Sequence, residues 1–171
     1  MKSLMALILL LVTPLLAAAQ VSQGVKAPVA NASVDELVDA LKPRVVTRGL
    51  GRNLTVEPSK IDLSVNFEFN SATLRPESIP LLERLAAAMK TDQLAQSGFQ
   101  VEGHTDATGS MPYNDALSVR RAQTVVEFLI RNKIDQSRLQ SIGKGSSELL
   151  VPDDPAAAAN RRVRISSVEM R

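Results

Sequence analysis

Few side chains in this 171-residue chain have both the type and the setting to do chemistry, and two of them stand out. Asp106 follows Gly103-His104-Thr105 at the end of a short apolar run, and Arg121 comes later, one turn into a helix-forming stretch. If the loop between them folds back, a carboxylate and a guanidinium flank one cleft. Such a pair suits a zwitterion: the carboxylate takes an ammonium group, and the guanidinium takes a carboxylate through two parallel bonds. Backbone N–H groups between Gly103 and Gly109 add possible anion contacts. Spacing alone leaves a second reading open, in which Asp106 merely caps its loop and Arg121 is a surface residue.

Catalytic readings find less support. The chain has no cysteine, which excludes disulfides, thiolate metal sites, cysteine nucleophiles and a lipid on an N-terminal cysteine. His104 is the only histidine. It and Asp106 could share a face of an extended segment, but a metal needs further ligands, and only Glu102 and Asp115 are near. No Gly-x-Ser-x-Gly elbow appears, and no carboxylate pair is marked out for sugar hydrolysis. The expectation is a chain with no enzymatic activity, no cofactor and no metal. Its 20 basic and 18 acidic residues are scattered rather than blocked, which argues against a nucleic-acid partner.

The elements that must position Asp106 and Arg121 follow from periodicity. Ile61, Leu63, Val65, Phe67 and Phe69 alternate with polar residues, which predicts a strand over 61–69 with one buried face. Pro76-Glu77-Ser78 opens a helix whose stripe is Ile79, Leu82, Leu85, Ala86 and Met89. A short strand over Phe99–Glu102 leads to Asp106. Gly109, Ser110 and Pro112 predict a loop over Ala107–Tyr113, with Asn114 or Ser118 capping a second helix through Leu117, Ala122, Val125 and Leu129. Strands over Leu139–Ile142 and Arg162–Val168 complete the set, separated by a Pro-containing loop. The order predicts a two-layer α/β sandwich: a four-stranded mixed sheet with two main helices on one face.

Upstream, Met1-Lys2, the apolar stretch Leu4–Leu16 and Ala17-Ala18-Ala19 read as a signal peptide over residues 1–19, with Gln20 as the new N-terminus. A spanning helix wants roughly 20 apolar residues, so a retained anchor is the lesser alternative. Residues 20–60 read as a polar leader. A short helix through Leu37 and Leu41 is capped by Ser33 or Asn31 and ended by Pro43, and a basic arm follows with Arg44, Arg48 and Arg52. The segment 37–52 is a candidate contact for an envelope protein. The folded domain is expected over 61–171.

At five places, in order, the residues resemble the OmpA-like C-terminal domain family. These are Phe67-x-Phe69-Asn70-x-Ala72-x-Leu74-x-Pro76, Val101-Glu102-Gly103-His104-Thr105-Asp106, Asn114-x-x-Leu117-Ser118-x-x-Arg121-Ala122, Gly143-Lys144-Gly145 and Asn160-Arg161-Arg162-Val163. The resemblance covers about residues 60–169. It implies non-covalent binding of peptidoglycan in the Gram-negative periplasm through the diaminopimelate of the stem peptide. It further implies that Asp106 binds the ammonium group and Arg121 the carboxylate. By the same resemblance Asn114 shapes the loop, Thr105 offers backbone groups, and Leu117 supports the loop from below. Phe69, Asn70 and Arg161 or Arg162 border the pocket. The alternative role is a tether or assembly module that links a partner protein or the inner membrane to the wall. Two departures stand out. Asn70 replaces an Asp common in the family, and Leu149 stands where a Pro is common, with Pro152 later.

Overall fold

The computed structural model describes residues 26–48 and 53–169. The expected signal peptide, Gln20 and residues 49–52 of the basic arm lie outside the described residues. Two strands, β1 (Arg44–Arg48) and β2 (Asn53–Glu57), pair antiparallel. The main sheet contains β3 (Lys60–Leu63), β4 (Ser97–His104), β5 (Leu139–Gly145) and β6 (Val163–Glu169), in the order β3-β6-β4-β5. The pairs β3–β6 and β4–β6 are antiparallel and β4–β5 is parallel, so the sheet is mixed. Helices α2 (Ile79–Met89) and α3 (Met111–Arg131) are joined in the core by the shorter α1 (Val34–Leu41).

The core is built from stripes of the predicted kind. Leu82, Leu85 and Met89 of α2, Val125 and Leu129 of α3, and Phe99, Val101, Val163 and Ile165 of the sheet are fully buried in one cluster. Burying such side chains supplies roughly 1.5–3 kcal/mol each against chain entropy. Among the described residues, no helix is long and apolar enough to cross a membrane.

The structure departs from expectation at three places, each for a local reason. The first strand stops at Leu63 rather than Phe69. Past that point the chain leaves the ladder for a hairpin-like loop, in which Asn66 accepts from the Arg75 N–H and the Glu68 N–H donates to the Thr73 carbonyl. The buried alternation nonetheless persists through Val65, while Phe69 is 99% exposed. Helix α3 begins at Met111, inside the expected loop, because Pro112 falls in the first turn, where a missing N–H costs nothing. Finally, the leader is not a solvated tail where it is described. Ser33 and Glu36 form a capping box, and Leu37, Val38 and Leu41 enter the core, so 37–41 is not an exposed arm. Arg84 of α2 donates to the Ala32 carbonyl at 2.6 Å, and Val29 bridges Leu63.

Two glycines set how closely α3 lies on the sheet. A methyl group at Gly103 would sit 2.2 Å from the Ser118 carbonyl oxygen, and one at Gly143 would sit 2.4 Å from a Val119 methyl. The Ser118 hydroxyl donates to the Asp115 carbonyl and accepts from the Gly145 N–H, which ties helix to strand at the same level. Gly103→Ala is therefore expected to lower the unfolding free energy by at least about 2 kcal/mol. Urea denaturation checks this, and a loss below about 0.5 kcal/mol would contradict the close packing.

Candidate functional site

Beyond Gly103 the end of β4 delivers Thr105 and Asp106, and beyond Ser118 one turn of α3 delivers Arg121. A cleft of about 510 Å³ opens between them. Asp106, Arg121, Asn114, Thr105, Phe69, Asn70, Leu117 and Arg161 all line it. Of the residues singled out from sequence, only Arg162 does not. Its guanidinium is buried and turned to the Asp62 carboxylate at 2.9 Å and to the Glu148 carbonyl at 3.0 Å, where it ties β6 to β3 and to the loop after β5.

Asp106 is held on two sides. Its Oδ1 accepts the Thr108 N–H at 3.0 Å, and its Oδ2 accepts from Arg161 at 2.7 Å. Burial pushes the carboxyl upward, but the hydrogen bonds from Arg161 and Thr108 outweigh it and hold the group below its ordinary value. Asp106 is thus a carboxylate at any neutral pH, and two bonded oxygens still leave lone pairs for a further donor. The loop keeps its shape through Asn114. This buried amide donates to the Asp106 and Thr108 carbonyls, at 3.3 and 3.1 Å, from the first turn of α3. Asn114 is therefore a clamp inside the helix rather than its cap.

Arg121 is oriented from below and behind. Its Nε donates to the Ser71 carbonyl at 3.0 Å, and its guanidinium lies 4.9 Å from the centre of the Phe67 ring. Burial pushes its pKa down, yet an arginine remains charged. It makes no ion pair among the described residues, so its terminal nitrogens face the cleft uncommitted. The Thr105 N–H is already taken by the Gly145 carbonyl at 2.8 Å, which removes it as a ligand donor; its hydroxyl is buried without a partner. Leu117 supplies the apolar floor.

Residues that sequence reasoning passed over complete the rim. Tyr113 donates its hydroxyl to the Asn70 side chain and so spans from α3 to the 66–75 loop. Asn70 has φ +54°, a left-handed conformation that Asn and Asp tolerate better than most residues. An Asp there would accept the same bond, so the Asn70 departure leaves the local structure intact. Glu68 also lines the cleft. Two carboxylates, Glu68 and Asp106, face two guanidiniums, Arg121 and Arg161, and the cleft is electrically balanced. That balance favours a ligand carrying both charges over a simple anion or cation.

A four-stranded mixed sheet with its helices on one face carries this cleft at the ends of β4 and α3. The OmpA family profile matches residues 66–163, and the chain belongs to this family. Over 109 residues it is 34% identical to outer membrane porin F of Pseudomonas fluorescens, which covers 63% of this chain and 33% of that protein. It is 33% identical over 135 residues to the probable lipoprotein YiaD of Escherichia coli, covering 75% of this chain and 61% of that one. The chain thus matches less than two thirds of the length of either relative. The crystal structure of the peptidoglycan-associated lipoprotein from Burkholderia pseudomallei superposes with a TM-score of 0.53 at 26% identity, over 61% of this chain and 88% of that one.

His104 lies beside the site and sets a pH dependence. Burial, reinforced by Arg162 and Arg164, pulls its pKa from 6.5 to about 4. The unfolded chain then takes up a proton near pH 6.5 that the folded chain refuses until about pH 4. Stability is complete above 6.5 and falls as pH drops through that window, by a total on the order of 3 kcal/mol. Chemical denaturation at pH 7, 5.5 and 4 should show the loss, and His104→Gln should flatten it. An equal slope in the variant would assign the loss to the carboxylates, Asp62, Asp106 and Glu148, whose depressed values act at lower pH.

Proposed function

We propose that the chain binds peptidoglycan non-covalently in the Gram-negative periplasm by gripping the free end of the stem-peptide diaminopimelate. That end carries an ammonium group and a carboxylate on one carbon. The observation that carries the reading is the pairing across one cleft of a depressed-pKa carboxylate, Asp106, with an arginine, Arg121, that is oriented by Ser71 and Phe67 yet free of an ion pair among the described residues. Asp106 takes the ammonium, its carboxylate then being shared between that group and Arg161. Arg121 takes the carboxylate. Asn114 keeps the loop in shape, and Phe69, Asn70 and Tyr113 border the entrance.

Likeness to a peptidoglycan-associated lipoprotein supports the wall as the partner and the periplasm as the compartment. The apolar N-terminal stretch ending in Ala17-Ala18-Ala19 supports export, with residues 1–19 as the signal peptide. Each charge-assisted bond contributes roughly 1.5–3 kcal/mol, so a single site binds weakly and the many copies on the polymer hold the protein by rebinding.

Co-sedimentation with isolated sacculi tests the reading. The chain from Gln20 onward should pellet, and Asp106→Ala and Arg121→Ala should each weaken binding by about 10- to 100-fold while their circular dichroism stays native. Added salt should weaken the parent's binding, because partly exposed charges are screened. Folded variants that pellet like the parent would sink the proposal.

A further inference from the structure

Behind the cleft lies a second, smaller pocket of about 140 Å³. Asn66, Phe67, His104, Arg121, Arg161 and Arg162 line it, and it shares Phe67, Arg121 and Arg161 with the cleft in front. The volume is near that of a cavity that takes one benzene-sized molecule, so it admits one compact group. Three of its walls are guanidiniums, and no carboxylate lines it. Arg162 is already neutralised by Asp62, and Arg161 by Asp106, which leaves Arg121 as the cation without an ion pair among the described residues.

His104 is the part of this pocket that structure alone does not explain. Its side chain is completely buried, and neither ring nitrogen has a hydrogen-bond partner. Nε2 lies 3.6 Å from the Glu102 carboxylate, beyond hydrogen-bond reach. Buried polar groups in folded proteins are almost always satisfied, so an orphaned imidazole at a pocket wall marks a missing partner. The surrounding charges balance among themselves. Asp62, Glu102 and Glu148 face Arg162, Arg164 and Lys144 across the outer side of the sheet. The ring is therefore neutral, with one N–H to donate.

We infer that this back pocket seats the ligand's carboxylate, which is held by Arg121 on the cleft side and accepts the N–H of His104. His104 thereby becomes a ligand-binding residue. The inference rests on the zwitterion reading above. It divides the ligand: the ammonium stays in the front cleft on Asp106, and the carboxylate passes beside Phe67.

The single histidine makes the test direct, because its ring gives the only imidazole signals in the spectrum. Free meso-diaminopimelate is titrated into the chain from Gln20 onward and followed by NMR. The ring signals of His104 should move with saturation, and its pKa should rise by about one unit, since an anion beside the ring favours the imidazolium. 1,5-Diaminopentane, which has ammonium groups and no carboxylate, should shift the amides of Thr105–Thr108 and leave the ring unmoved. Acetate, which has only the carboxylate, should move the ring. Ala158→Leu, which adds bulk at the pocket wall, should weaken diaminopimelate binding about tenfold and leave diaminopentane binding unchanged. If diaminopimelate shifts the loop amides but not the ring, or if Ala158→Leu binds it like the parent, the back-pocket inference is overturned while the front cleft stands. If neither amides nor ring respond to diaminopimelate, the zwitterion reading itself fails.

Discussion

The site depends on one close approach: the end of β4 runs against α3 with no side chain between them. Gly103 meets the Ser118 carbonyl and Gly143 meets Val119, at distances that no Cβ could share. Because both glycines are bare, α3 sits low on the sheet. Three residues past Gly103, just beyond the end of β4, comes Asp106, and three residues past Ser118 the helix presents Arg121. The separation of the two charged groups is therefore set by backbone packing rather than by side-chain flexibility. Asn114 and the Ser118 hydroxyl then lock loop and strand to the same stretch of helix.

Charge is handled differently on the two sides of the sheet's upper end. On the outer face Asp62 receives two arginines, and Glu148 receives Lys144 and Arg164, so each charge is met by its opposite. In the cleft Arg121 is left with a backbone carbonyl and an aromatic ring instead of a carboxylate. Keeping a half-buried arginine in that state works against folding, and in the proposed complex the ligand's carboxylate offsets that cost. The loop after β5 belongs to the same arrangement. The fully buried Asn160 bonds to the backbone of Val151, Asp154 and Pro155, and the Pro155 carbonyl accepts the Ala107 N–H beside Asp106.

Much of this was legible in the residues. Period-two and helical stripes identified the sheet, both main helices and their shared core. Asp106 and Arg121 were visible as a pair of opposite charges at the end of one element and the start of another. What sequence could not supply came from tertiary partners. The alternation through Phe69 reads as strand, yet the ladder ends at Leu63 because β6 offers no partner beyond Val163. Arg161 and Arg162 are neighbours of the same type, and only the fold sends one to Asp106 and the other to Asp62. Tyr113 falls within the loop that Gly109, Ser110 and Pro112 predict, whereas Pro112 in fact occupies the first turn of α3, and only that helix brings Tyr113 to Asn70. The Thr105 backbone could not be known to be taken by Gly145 until the parallel pairing of β4 and β5 was seen.

The central claim is that Asp106 and Arg121 read the two charges of one zwitterion. A crystal structure of the chain with meso-diaminopimelate tests it most directly. The ammonium nitrogen should lie within about 3 Å of the Asp106 carboxylate, with the carboxylate on the same carbon paired with Arg121. Density for the ligand away from this cleft, or in it with the two charged groups reversed, would rule out this pairing.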